Sequence, residues 1–258
     1  MSSRAPTDVA PRAADRMSAR APTDVAPRAA DRMSAATAGR PRPLHERLGQ
    51  PRLRGVSHAY AFWVAAISAA AIVALAPAGL PRGAAVVYSL GLCALFAGSG
   101  LYHRWRWNPR WRPLLRRVDH STIFVFIAAS YTPIALLVLH DATQLVVLVG
   151  VWAGALAGVL LSVCWIDAPR RLGAAVYLAV GWVALLAVPQ LFAGLPAWPL
   201  ALLLAGGLMY SAGAVVYATQ RPDPWPATFG FHEVFHAFVI AAAAAHVVAM
   251  AGWVLPAG

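Results

Sequence analysis

The sequence predicts an all-α integral membrane protein: a seven-transmembrane helix bundle with its N-terminus inside and its C-terminus outside. Three observations predict it. The 258 residues are 60% hydrophobic and only 12% charged, with a mean hydropathy of +0.61, far from the balance of a soluble domain. Seven apolar stretches each reach about 20 residues, the length that crosses a hydrocarbon core. The basic residues, Arg82 apart, fall in alternate connections and so on one side of the membrane.

In chain order the expected spans are 57–78, 84–103, 119–139, 143–165, 172–193, 197–217 and 231–254. The fifth and sixth are divided only by Pro189, Pro196 and Pro199, which punctuate one long apolar run. Ahead of the first span lies an Arg/Ala/Pro-rich cytoplasmic tail, residues 1–54, in which residues 1–16 recur as 17–32 with a difference only at Ser3 and Ala19. A third Met-Ser-Ala starts at Met33, so Met1, Met17 and Met33 are all candidate starts. The tail has almost nothing to bury and is expected to be disordered, and no apolar signal-peptide core precedes the first span. Residues 55–258 form one domain. Its outer connections, at 77–82, 140–142 and 194–199, are too short for an extracellular binding module.

The net charge of +11 comes from 21 Arg and no Lys. Eleven Arg precede the first span, six lie between the second and third, two between the fourth and fifth, and Arg221 between the sixth and seventh. Only Arg82 falls on the other face. Basic residues in short loops mark the cytoplasmic side, which orients the bundle in a bacterial plasma membrane. The same distribution excludes a nucleic-acid partner and points to anionic lipid headgroups at the inner face. Cys93 and Cys164 sit inside spans with no CxxC partner, which excludes a disulfide framework.

Polar residues converge at one depth. His232 and His236, in GFHEVFHAF, are one helical turn apart on one face. The second span ends at LFAGSGLYHR, which places Ser99 and His103 at the same end of the bundle, and the third opens with RVDHSTIF, which adds Asp119. Ionisable groups in spans are expensive unless paired or functional. Three imidazoles, His103, His232 and His236, with one open position suit a catalytic Zn2+, whereas calcium or magnesium would require several oxygen ligands. Asp119 then holds or deprotonates a water, and Ser99 polarises an oxyanion or supports a ligand.

Blander roles exist for each. Ser99 lies in a small-residue run (Ala97, Gly98, Gly100) that suits close helix packing. Asp119 also suits a helix N-cap or an ion pair with Arg116 or Arg117. Glu233 points off the histidine face toward a basic partner, and His120 points away from Asp119. His58 lies at the right depth on the first span, but nothing fixes its direction. His246 is roughly 15–20 Å further along the last helix, a structural or cavity-lining residue. Trp105, Trp107, Trp111, Trp165, Tyr217 and Trp225 read as interfacial anchors.

These residues also carry a resemblance. S-G-L-Y-H-R, then R-R-V-D-H-S-T-I-F with A-A-S-Y-T-P, then Y-A-T-Q-R-P and F-G-F-H-E-V-F-H, resemble the bacterial hemolysin III family, the prokaryotic branch of the progestin and adiponectin receptor proteins. The likeness covers roughly 55–255. It implies a seven-helix bundle with an inner N-terminus and a zinc held near the cytoplasmic face by three His, here His103, His232 and His236, with Ser99 and Asp119 as the matching Ser and Asp. It also implies kinship with membrane hydrolases, alkaline ceramidases among them. Ala129-Ser130 departs from the Gly-Thr more usual before Tyr131-Thr132-Pro133.

The expected function is zinc-dependent hydrolysis of a lipid acyl amide or ester. The alternative is a non-catalytic membrane receptor or stress regulator in which zinc staples helices together. A cytolytic pore ranks third, because the sequence has no amphipathic pore segment. A catalytic site should leave an open metal position beside a lipid-sized cavity, and a structural one should close it with a fourth ligand.

Overall fold

The computed structural model describes residues 51–256; the duplicated tail, residues 1–32, lies outside them. The described chain forms α1 (Val56–Leu75), α2 (Leu80–Arg104), α3 (Arg112–Leu137), α4 (Asp141–Cys164), α5 (Arg170–Gly181), α6 (Val188–Gly194), α7 (Ala197–Thr219) and α8 (Phe231–Ala249). A 3-10 turn over Val183–Ala187 links α5 and α6 into one span, and α8 runs on into a π turn over Met250–Val254. Among the described residues, seven spans have the length and hydropathy to cross a membrane.

Two expectations about the spans need correction. The third helix starts at Arg112 rather than near Asp119. Pro113 stands in its first turn, where the missing N–H removes no hydrogen bond, and the Arg-bearing turns that follow are helical although polar. Hydropathy marks the apolar middle of a span and passes over its polar ends. Asp119 therefore sits about two turns inside α3, and the N-cap reading is wrong. The ion-pair reading fails as well: Arg116 pairs with Asp167 at 3.0 Å, and Arg117 donates to the Val163 carbonyl.

The fifth span is not one continuous helix. Pro189 cannot donate a backbone N–H, and its ring crowds the Leu185 carbonyl, inside the 3-10 turn that separates α5 from α6. Backbone groups freed inside a span must find partners within the protein. Tyr131 of α3 supplies them: its hydroxyl donates to the Gly181 carbonyl and accepts the Ala184 N–H at 3.0 Å.

Successive helices α1 to α4 pack side by side, α7 packs on α8, and α8 also meets α1. The tightest crossings use small residues, as expected where lipid supplies no hydrophobic drive between helices. A Cβ at Gly98 would lie 3.2 Å from Thr122 of α3, and one at Gly100 would lie 3.2 Å from the Ala59 Cα of α1. Ser99, between them, is thereby clamped between α1 and α3. The small-residue run serves packing and position together.

Residues 51–54, which the sequence places in the polar tail, are instead sewn to the segment before α8. The Arg52 and Leu53 N–H groups donate to the Ala227 and Thr228 carbonyls, each at 3.1 Å. Arg54 Nε lies 2.6 Å from Glu233 Oε1, and Glu233 Oε2 accepts the Gly230 N–H at 2.8 Å. This is the basic partner expected for Glu233. Burial pulls the Arg54 guanidinium below its ordinary pKa, and Glu233 pulls it back up. Gly55, at φ 74°, then turns the chain into α1, and a Cβ there would lie 2.6 Å from His103 Cβ.

Removing one partner of a buried ion pair leaves an uncompensated charge, at a cost of about 3–5 kcal/mol. Arg54→Ala should therefore lower the thermal stability of the detergent-solubilised protein markedly, and Arg54→Ala with Glu233→Gln should recover part of the loss. Equal melting temperatures for wild type and Arg54→Ala would show that the pair stabilises nothing.

Candidate functional site

The ends of α2, α3 and α8 meet where the Arg-rich 104–111 loop leaves the bundle. His103 closes α2 one turn after Ser99, and α8 presents His232 and His236 on one face, with Glu233 turned off it toward Arg54. The ligand atoms of His103, His232 and His236 all lie within 4.8 Å of one another. His103 Nε2 and His232 Nε2 are 3.2 Å apart, and Asp119 Oδ2 is 3.3 Å from His103 Nε2. His103, Asp119 and His236 are buried, and His232 is half-buried.

This donor set fits a metal ion. Nitrogens bound at 2.0–2.1 Å in a tetrahedron are about 3.3–3.4 Å apart, close to the His103–His232 separation. His236 Nδ1 is buried with no hydrogen-bond partner, an orphan that an isolated imidazole would not keep without compensation. Asp119 Oδ2 lies against the same His103 Nε2 that faces His232, so the carboxylate adds an oxygen on the ligand side of the cluster.

A cavity of about 280 Å³ opens directly from this cluster, near the lower end of the roughly 300–1,000 Å³ range of small-ligand pockets. Ser99, Asp119, His232 and His236 line its polar end, and Ile123, Ile127, Val239 and Leu203 its apolar length. His246 lines the far part and donates from Nε2 to the Leu203 carbonyl at 3.1 Å, as the sequence suggested.

Several placements differ from expectation. Tyr217 is no interfacial anchor: its ring lies 6.1 Å from that of His232, and it lines the cavity. Its position two residues short of the end of α7 suited an anchor, but the rotation of α7 turns it inward. His120, expected to face away from Asp119, also lines the cavity; α3 is surrounded closely enough for two neighbouring residues to reach one space. His58, whose direction was open, points into the site. It shares a 2.7 Å hydrogen bond with Ser99 and stacks on His236 with ring centroids 3.6 Å apart. A signal for it exists in the sequence. His58, Ala65, Ala69 and Ile72 form the buried stripe of α1, while Tyr60, Trp63, Val64 and Ile67 are exposed, so small residues mark the face His58 belongs to.

Residues 47–247 match the family described as Haemolysin-III related. The chain belongs to that family, and it is a multi-pass membrane protein of the plasma membrane. It is 31% identical over 159 residues to the Hemolysin-3 homolog of Bacillus subtilis, covering 62% of this chain and 71% of that protein. It is 33% identical over 190 residues to the Heptahelical transmembrane protein ADIPOR2 of Oryza sativa, covering 67% and 82% of the two. To the human Monocyte to macrophage differentiation factor it is 28% identical over 205 residues, covering 75% and 80%.

Proposed function

We propose that this protein is a zinc-dependent hydrolase of lipid acyl amides or esters, ceramidase-like in chemistry, with its site at the cytoplasmic end of the bundle. The observation that carries the reading is the cavity of about 280 Å³ that starts at the three-histidine cluster. A staple between helices has no use for such a space; a catalytic site needs it.

His103, His232 and His236 would hold the zinc, which when bound supplies Lewis acidity that polarises an acyl carbonyl and makes a neighbouring water acidic near neutral pH. Asp119 accepts a proton from that water as its oxygen bonds to the acyl carbon, and returns the proton to the leaving amine or alcohol as the C–N or C–O bond breaks. The Ser99 hydroxyl donates to the carbonyl oxygen as charge gathers there. The apolar wall at Ile123, Ile127 and Val239 takes the acyl chain out of the bilayer and keeps bulk water from the reacting carbon. The reading is tested by fatty-acid release from a panel of acyl lipids in liposomes, with and without a zinc chelator.

The orientation belongs to the same reading. The asymmetry of Arg between loops supports a cytoplasmic 104–111 loop and site, with residue 258 outside. Single cysteines introduced at Asn108 and Gly258, in a protein lacking Cys93 and Cys164, should be labelled by an impermeant thiol reagent from opposite sides of inverted vesicles. Labelling of both from one side would overturn the orientation.

A further inference from the structure

We propose that His58 is the positioning residue of the metal centre, holding His236 through its ring face and Ser99 through its Nδ1. The inference rests on the zinc reading above and assigns a part to the first span, which supplies no ligand. His58 is only 2% exposed, although an imidazole on a membrane span is costly to bury without a purpose. Its ring lies against that of His236 at 3.6 Å with planes 10° apart, so His236 cannot swing about its own side-chain bonds without breaking the stack. Phe96 also packs against the His58 ring, nearly perpendicular to it, with ring centroids 5.1 Å apart. The 2.7 Å bond to Ser99 Oγ fixes one of the three rotamers open to a serine. Gly100 makes the arrangement possible, because any side chain there would push α1 away at Ala59, one residue from His58. Groups outside the ligand set that orient metal-bound histidines commonly contribute 10–100-fold to affinity or activity.

The two contacts separate by substitution. Phenylalanine keeps a flat ring against His236 and loses the bond to Ser99. Asparagine carries both a donor and an acceptor near the Nδ1 position and loses the stack. Alanine loses both. Zinc affinity is measured on the purified full chain by chelator competition, and the ligand field by the visible spectrum after cobalt substitution; fatty-acid release is measured in parallel. His58→Ala is expected to bind zinc about 10–100-fold more weakly with an altered cobalt spectrum. His58→Phe should retain near wild-type affinity and spectrum while hydrolysis falls as far as in Ser99→Ala, with no further fall in the His58→Phe, Ser99→Ala double variant. His58→Asn should show the reverse, weakened affinity with most hydrolysis restored.

Should His58→Ala fail to fold, judged by gel filtration, the Phe and Asn variants still decide. Wild-type affinity in both His58→Ala and His58→Asn, or identical behaviour of the Phe and Asn variants in both readouts, overturns the inference while the zinc reading stands. Wild-type protein without stoichiometric zinc removes the zinc reading, and this inference with it. Wild-type protein with zinc but without lipid hydrolysis removes the hydrolase reading alone, and the affinity and cobalt results still decide on His58.

Discussion

Purified wild-type protein should carry about one zinc per chain, and His236→Ala should carry almost none. Two imidazoles on flexible side chains remain in that variant, and the coordination demanded by zinc is then short of a ligand that is buried, stacked on His58 and held in one orientation. His103→Ala and His232→Ala are expected to lose metal as well. Elemental analysis of protein purified without chelators measures the outcome directly. Absence of stoichiometric metal from the wild type, or its retention in all three alanine variants, sinks the metal centre.

Asp119→Asn should behave differently. Asparagine is nearly isosteric with aspartate, and the three nitrogens stay in place, so the variant should remain folded and keep most of its zinc. What it loses is, among the described residues, the only carboxylate placed against His103, 3.3 Å from Nε2, and with it the group that accepts the proton of the attacking water. Loss of a general base costs on the order of 10²–10⁴ in rate. Fatty-acid release from ceramides and other acyl lipids should therefore fall by that factor with metal content unchanged. Equal activity in Asp119→Asn and wild type would disprove the assigned role. A lipid panel with no chelator-sensitive release at all would favour the receptor reading, in which zinc only staples α2, α3 and α8 together.

Much of this architecture is legible in the sequence because a bilayer imposes few rules and strict ones. The spans follow from hydropathy, and the shared depth of His103, Asp119 and His232 follows from counting along them. Rotation about each helix axis is less legible. Tyr217 and His120 face the cavity because of how α7 and α3 are turned by their neighbours, which spacing alone does not encode. The fifth span gives way at Gly181, eight residues before Pro189, and its repair by Tyr131, fifty positions from Gly181, is a tertiary fact. For His58 the information was present in the small-residue stripe of α1, and required reading that stripe as the inner face.

The sewing of residues 52–54 to the segment before α8, and of His58 to His236, has a bearing on biogenesis. His103 and His232 are separated by 129 positions, and the earliest helix waits for the latest one. A nascent chain halted before Phe231 holds six spans but a single ligand, with Asp119 and Ser99 deprived of the helix that completes their surroundings. Such long-range pairings form last. On the proposed metal reading, metal uptake would report that the last span has been made and inserted, and a chain without it is distinguished by polar groups left without partners inside the bilayer.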